Sequence, residues 1–284
     1  MDITNKTVLA AIDGSAHSQA VCDYAAWISK RLDYPLQLFH TITRPSTAVG
    51  DLSGAIGLGS QEQLMEQLTQ VEEERSKLSL QQGKLMLNAA KERVQSKGIA
   101  EPILTHRHGS LAESLLDIES GIRVLVLGIS GEPTEEKHLS AQLESTIRSL
   151  HSPILVVNSE FKTPERIMLA YDGSEASGKA LDMLAMSPLF KGIPVHLVTV
   201  GEDQANAEKL QADAADKLTQ CGHQVVAAIL NGKASEALCQ YQADNQIDLT
   251  LMGAYSHTRL REIVLGSLTA KMLLGANKPL WLLR

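Results

Sequence analysis

The sequence has few aromatic residues and few cysteines. Phe, Trp and Tyr make up 4% of the 284 residues, although the hydrophobic fraction of 44% is ordinary, so we expect a core of aliphatic side chains and Met. The three cysteines, Cys22, Cys221 and Cys239, contain no CxxC pair and match no metal-ligand spacing. We therefore expect reduced structural thiols, no metal site and a cytoplasmic protein.

The sequence also lacks an excess of positive charge and any long apolar run. The formal net charge of -7 argues against a nucleic-acid-binding protein, which would normally carry a basic face. No run approaches the roughly 20 apolar residues of a membrane-spanning helix, and the opening residues MDITNKT lack the apolar centre of a targeting peptide. We expect neither a nucleic acid nor a membrane as partner.

The chain contains an internal repeat. TVLAAIDGS ends at Ser15 and IMLAYDGS ends at Ser174, and each is an apolar run that stops at Asp-Gly-Ser before a helical pattern. The stretches SPILVVN and KPLWLLR are both apolar runs that follow an amphipathic helix. A chain of this length is long for one domain and comfortable for two. We therefore predict a first domain over residues 1–158 and a second over residues 165–284.

Strand-like and helix-like patterns alternate in both predicted domains. The predicted strands are residues 7–13, 36–42, 102–106, 124–128 and 154–157 in the first domain, and 166–171, 194–200, 224–230, 249–253 and 280–283 in the second. Runs such as VLVLG are apolar almost throughout, as in strands buried on both faces. This alternation predicts an α/β fold with two open, doubly wound parallel sheets in tandem.

The first repeat carries an insertion. The stretch between Asp13 and Gly128 is 34 residues longer than the one between Asp172 and Gly253. The added residues comprise a Gly/Ser/Pro-rich loop and a charged helix predicted over about 61–97. Apolar residues recur along this helix at steps of three and four, which favours an amphipathic surface helix. A partner-binding helix or a lid is the alternative.

The stretch GAYSHTRLREIVLGS, from Gly253 to Ser267, points to an anion site. It leads from a strand-like run into a helix, where unpaired backbone N–H groups and the positive end of the helix dipole favour phosphate. Gly253 and Gly266 would let the backbone approach a ligand closely, and Arg259 and Arg261 add positive charge. Asp172, which ends the first strand of the second repeat, suits a ribose hydroxyl or an adenine amine.

These residues make the chain resemble a tandem universal stress protein, with two such domains in one chain. Nucleotide-binding members of that family carry Gly-x2-Gly-x9-Gly-(Ser/Thr) after strand four, and here the second repeat reads Gly253-x2-Ser256-x9-Gly266-Ser267. The resemblance covers essentially the whole chain, and it implies a Rossmann-like fold similar to that of the adenine nucleotide alpha hydrolases. It implies ATP, with or without Mg²⁺, at Ala170, Tyr171, Asp172, Val200, Met252, Gly253, Tyr255, Ser256, Gly266, Ser267, Leu268 and Thr269.

The first repeat departs further from the motif. It keeps Asp13, Gly128 and Gly131, which form a candidate second ligand site. Ser140 and Ala141 stand where the second repeat has Gly and Ser, and the loop before them contains the glutamates of EPTEEK. Because these glutamates would repel phosphate, we expect no ATP in the first domain.

We therefore predict an ATP-binding stress-response regulatory protein without catalytic residues. Pairing of the two domains through their final strands is what the resemblance implies, and whether two chains form a homodimer stays open. A slow ATP hydrolase and a nucleotide-independent interaction scaffold are the alternatives. Asp13 and Asp172 also have a structural interpretation as turn residues. His106 and His108 share one face of a strand, but no third metal ligand is apparent.

Overall fold

The computed structural model describes residues 6–42, 58–129, 139–254 and 266–284, with only the backbone described for residues 58–66. The strands are β1 Thr7–Ala11, β2 Leu36–Ile42, β3 Ile103–His108, β4 Ile122–Gly128, β5 Ile154–Val157, β6 Ile167–Ala170, β7 Val195–Val200, β8 Val225–Leu230, β9 Leu249–Gly253 and β10 Leu280–Leu283. The helices are α1 Ser18–Leu32, α2 Leu58–Ser96, α3 Leu111–Leu116, α4 Ala141–Ser149, α5 Glu175–Met186, α6 Gln204–Gln220, α7 Ala234–Asp244 and α8 Ser267–Gly275.

The ten strands form one sheet in the order β3-β2-β1-β4-β5-β10-β9-β6-β7-β8. Each half repeats the same doubly wound order, and the pairs within each half are parallel. The central pair is antiparallel, since β5 lies beside β10 with Trp281 opposite Leu155. The predicted α/β fold with a parallel, doubly wound strand order is confirmed in each half, but the two predicted sheets are joined into one by the antiparallel β5–β10 pair. All ten predicted strands are present with shifts of a few residues at their ends.

The sheet is covered on both faces, which explains the apolar character of its strands. In β4 and β9, all residues are buried except Arg123 and Gly253. Two hydrophobic clusters, one containing Val8, Leu38 and Trp281 and the other Leu9, Phe39 and Leu280, fill the interior with mostly aliphatic side chains.

Helix α2 has two parts. Its second part packs against the sheet through Gly83, Leu87, Ala90 and Val94, which are all buried. Residues 67–78 of the first part are all exposed. In the described part of the chain, no helix combines the length and the apolar composition needed to cross a membrane.

An ion pair links the segment between β5 and β6 to the second half. Lys162 Nζ lies 2.8 Å from Oδ1 of Asp248, whose side chain is only 4% exposed. The other carboxylate oxygen accepts hydrogen bonds from the backbone N–H groups of Glu165 and Arg166. These contacts position the start of β6, and therefore the loop that follows it.

Candidate functional site

A cavity of about 230 Å³ opens at the carboxyl ends of β6, β7 and β9. The chain leaves β6 for β7 on one side, and β9 lies on the other side, so the strand order reverses between β6 and β9. Ligands of open α/β sheets bind at this kind of switch point, because the loops diverge there and leave a crevice. The cavity therefore lies where this fold normally places a ligand.

Most of the cavity wall is apolar. The interior is lined by Ala170, Val198, Val200, Ala234, Leu238, Met252 and Leu268, and the polar residues at the cavity include Asp172, Ser174, Ser177 and Thr269. Tyr171 also lines it, and burial, followed by the neighbouring Asp172 charge, raises the pKa of its phenol. A flat apolar group with a polar edge is the kind of ligand that such walls suit.

Asp172 both shapes the turn after β6 and faces the cavity. Its Oδ1 accepts a hydrogen bond from the backbone N–H of Ser174 at 3.0 Å, and the intervening Gly173 has φ +73°. This left-handed backbone is one that glycine adopts without strain. The structural interpretation of Asp172 as a turn residue is therefore confirmed, and its carboxylate also lines the cavity. Ser174, rather than Asp172, caps α5, since its hydroxyl accepts from the Ser177 N–H.

The amino end of α8 borders the same cavity, which Gly266, Leu268 and Thr269 line. Gly266, which lines the cavity, is the N-cap residue of α8 and has no side chain that could accept from the first-turn N–H groups. Such groups bind anions well, and the helix dipole adds to the attraction. Ser267 is exposed and does not line the cavity, so the structure does not place its hydroxyl inside the site.

The Thr269 hydroxyl has a structural partner. Thr269 is buried, and its Oγ1 donates to the Ala254 carbonyl at 2.9 Å. This bond ties the first turn of α8 to the end of β9 and holds both sides of the cavity together. The side chain of Thr269 therefore positions α8, whereas its contribution to a bound anion would come from its backbone.

The structure brings most of the predicted site residues together. Ala170, Tyr171, Asp172, Val200, Met252, Gly253, Gly266, Leu268 and Thr269 all line the cavity. Tyr255, Ser256, Arg259 and Arg261 lie outside the described residues. The sequence interpretation missed Ser174, Ser177, Val198, Ala234 and Leu238. Val198 follows from the two-residue period of β7, but α7 carries Ala234 and Leu238 into the site only through the tertiary fold.

A related cavity of about 210 Å³ occupies the first half. It lies at the carboxyl ends of β1, β2 and β4 and includes Asp13 and Gly128 of the predicted second site. Gly131 lies outside the described residues. The helix end differs from that of the second half, because Ser140 caps α4 and its hydroxyl accepts from the Leu143 N–H at 3.2 Å. One of the N–H groups that could bind an anion is thus already used within the first half.

His40 and His106 of the first half lie under Gly83 of α2. The His40 and His106 rings are 5.2 Å apart, and His40 Nδ1 donates to the Ile12 carbonyl. Burial, followed by the charges of His40, His108 and Lys84, lowers the pKa of His106. Among the described residues, no three His, Cys, Asp or Glu side chains are placed to hold a metal ion together.

Comparisons with known proteins agree with this architecture. The profile described as "Universal stress protein family" matches residues 4–158 and 201–284, which is most of the chain. A curated universal stress protein of Synechocystis sp. is 38% identical over 281 residues, covering 96% of this chain and 98% of that protein.

Solved structures show the same fold at low sequence identity. A universal stress protein of Archaeoglobus fulgidus matches with a TM-score of 0.74 and 15% identity, covering 100% of this chain and 99% of its own. A functionally unknown protein of Pseudomonas aeruginosa matches with a TM-score of 0.58 and 12% identity, covering 99% and 92%. The sequence matches, supported by the repeated strand order, show that the chain belongs to the universal stress protein family.

Proposed function

We propose that this universal stress protein is a regulatory protein that binds an adenine nucleotide, specifically ATP, in the cavity of its second half. One observation carries the proposal: an apolar slot, an exposed carboxylate and a helix amino end face the same cavity. These three features match the base, the sugar and the phosphates of a nucleotide, respectively.

Each part of the ligand has a distinct surface to bind. The adenine ring fits between Val200, Leu238 and Met252, where burial of its faces removes apolar surface from water. The Asp172 carboxylate accepts hydrogen bonds from the ribose hydroxyls. The phosphates lie at the amino end of α8 beside Gly266, with or without Mg²⁺ as counter-ion.

The first half does not bind ATP in this proposal. Its pocket retains Asp13, but the Ser140 hydroxyl occupies the Leu143 N–H that a phosphate would need. The glutamates of the preceding loop add repulsion by sequence. The first half, residues 1–158, would then be a supporting domain and the second, residues 165–284, the nucleotide-binding domain. The two are joined through β5 and β10 in a cytoplasmic protein.

Binding would act by shifting a conformational equilibrium instead of by turnover. ATP stabilises whichever conformation holds α8, β9 and the turn after β6 in the geometry that fits the nucleotide, and the shift equals its difference in affinity between the two states. The Thr269–Ala254 hydrogen bond and the Asp172 turn connect the cavity to β9 and β6, so a change of conformation at the bound nucleotide would pass through these contacts to the sheet.

Titration calorimetry of nucleotide-stripped protein with ATP and Mg²⁺ tests the proposal. We expect one site per chain, lost in Gly266→Trp because the indole would fill the phosphate position, and retained in Ser140→Trp, the matched change in the first half. Loss of binding in both variants would contradict the assignment to the second half. The absence of heat and of thermal stabilisation at saturating ATP would favour the scaffold alternative.

A further inference from the structure

The cavity of the first half lies at the same kind of switch point as the cavity of the second half. The chain leaves β1 for β2 on one side, and β4 lies on the other side. Ala11 of β1 is paired with Phe39 of β2, and both line the first cavity. Ala170 of β6 and Val198 of β7 form the corresponding pair in the second cavity. The two cavities are therefore built on equivalent positions of the repeat.

Asp13 forms in the first half the turn that Asp172 forms in the second. Its Oδ1 accepts hydrogen bonds from the Ser15 backbone N–H at 2.9 Å and from the Ser18 hydroxyl at 3.0 Å, and Asp13 lines the first cavity. A carboxylate can accept about four hydrogen bonds, so the contacts within the turn do not prevent it from accepting from the hydroxyl groups of a ligand. The first cavity thus keeps the carboxylate to which we assign the ribose in the second.

The helix end beside the first cavity disfavours an anion. The Ser140 hydroxyl accepts from the Leu143 N–H at 3.2 Å, and Glu144 lies in the first turn of α4. The first turn of α8 in the second half has neither a capping side chain nor an acidic residue. The described residues that line the first cavity include Asp13 but no Lys or Arg. A phosphate there would meet negative charge and one fewer available N–H group.

Two apolar positions of the second cavity carry neutral polar side chains in the first. Thr41, two residues after Phe39, stands where the second half has Val200. Gln142, the second residue of α4, stands where α8 has Leu268. Neither the Thr41 hydroxyl nor the Gln142 carboxamide forms a hydrogen bond with another residue that the structure describes. Because both residues line the cavity, they can donate to an uncharged polar ligand or accept from it.

We propose that the first cavity binds an uncharged nucleoside and excludes the corresponding nucleotide. The features that both halves share match a base and a sugar, whereas the features that the first half lacks are those for phosphate. This inference rests on the proposed function, because it gives the base wall and the carboxylate the same roles in both halves. Phe39 and Leu127 contact the base, and Asp13 accepts from the ribose hydroxyls. Thr41 and Gln142 supply hydrogen bonds to polar atoms of the nucleoside.

Calorimetric titration of an Ala234→Trp chain with adenosine and with AMP tests the proposal. The indole would fill the base wall of the second cavity, so binding to this variant reports on the first cavity. We expect one adenosine site per chain and an AMP affinity at least about 100-fold lower, because the phosphate brings like charge to the cavity. The absence of adenosine binding at millimolar concentration, or equal affinities for the two compounds, would overturn the proposal.

Substitutions in the first cavity locate the site. In the Ala234→Trp chain, Thr41→Val together with Gln142→Leu should weaken adenosine binding about 10- to 100-fold, because two hydrogen bonds to the ligand are lost. The control is Gln220→Leu, which removes an exposed carboxamide outside both cavities. An adenosine affinity that is unchanged in the double variant would overturn the assignment to the first cavity. Thermal unfolding of each variant confirms that it has folded.

Opening the helix end tests why the nucleotide is excluded. Ser140→Gly together with Glu144→Ala introduces the residues that α8 has at these places. AMP affinity should rise at least about 10-fold while adenosine affinity stays the same, and an unchanged AMP affinity would overturn the exclusion. ATP titration of the wild-type chain tests the proposed function separately. An adenosine site without ATP binding would overturn that function, whereas ATP binding without an adenosine site would overturn the present proposal.

Discussion

A Cβ atom on Gly253 would lie 2.7 Å from the Cβ of Ala176, closer than side chains tolerate. It would also lie 3.1 Å from the backbone carbonyl carbon of Ala176 and the nitrogen of Ser177. The first glycine of the nucleotide motif therefore has a packing role, because it lets the first turn of α5 rest on the end of β9. This contact holds the Asp172 turn and the α8 side of the cavity at a constant separation.

Gly253→Ala should destabilise the protein by about 1–3 kcal/mol, since the backbone of α5 must move to admit a methyl group. Urea unfolding measures this change. Gly178→Ala is the control, because Gly178 lies in α5 and a Cβ atom there would have open space around it. This substitution should stabilise the protein by about 0.5–1 kcal/mol through helix propensity. Equal effects of the two substitutions would show that the Gly253 contact is not tight.

Asp172→Asn should weaken ATP binding about 10- to 100-fold, because a hydrogen bond to a charged group contributes about 1.5–3 kcal/mol. The asparagine oxygen can still accept from the Ser174 N–H, so the turn should persist. Calorimetry measures the affinity. Asp13→Asn, the same change in the first-half turn, should leave ATP binding unchanged. Unaltered affinity in Asp172→Asn would remove the proposed ribose contact.

Asp248→Ala should destabilise the protein by about 1–3 kcal/mol, because it leaves the N–H groups of Glu165 and Arg166 without their carboxylate acceptor. Thermal unfolding tests this. Asp248→Asn should cost less, since it retains an acceptor for these groups. A larger effect of Asn than of Ala would contradict the role assigned to these hydrogen bonds.

The Asp248 carboxylate should also make the stability of the protein depend on pH in the acid range. Burial by itself raises the pKa of Asp248, but Lys162 and the backbone donors outweigh burial and hold the pKa below its ordinary value of 3.8. Its contribution is therefore fully present above pH 3.8 and is lost as the pH falls towards the lower folded-state value. Wild type and Asp248→Asn should converge in stability over this acid range, as followed by unfolding in urea.

His106 should destabilise the fold in mild acid. Its Nε2 is buried under Gly83 of α2 and has no hydrogen-bond partner among the described residues. Burial, followed by the charges of His40, His108 and Lys84, lowers the pKa of this histidine below 6.5. The folded protein therefore binds this proton less readily than the unfolded chain, and stability falls as the pH drops below 6.5.

Urea unfolding at about pH 7.5 and about pH 5.5 measures this loss. His106→Gln should reduce the loss without abolishing it, because burial also lowers the pKa of His196. An unchanged difference in His106→Gln would contradict the prediction.

The strands and the outline of the site were predictable because they depend on local patterns. Apolar runs ending in Asp-Gly-Ser placed Asp172 after β6, and the stretch from Gly253 to Ser267 placed the start of a helix, α8, in the chain after β9. The packing roles were not predictable in this way. The clash of Gly253 with Ala176 and the bond from Thr269 to Ala254 depend on the distance between separate elements.

The alternation of strands and helices, the repeat and the family all follow from local sequence patterns, because hydrophobic period and turn residues act over a few positions along the chain. Tertiary packing, by contrast, brings Ala234 and Leu238 of α7 into the cavity and leaves Ser267 outside it. It also decided which face of α2 the core covers. These outcomes depend on how elements far apart in the chain pack together, and no local pattern specifies that packing.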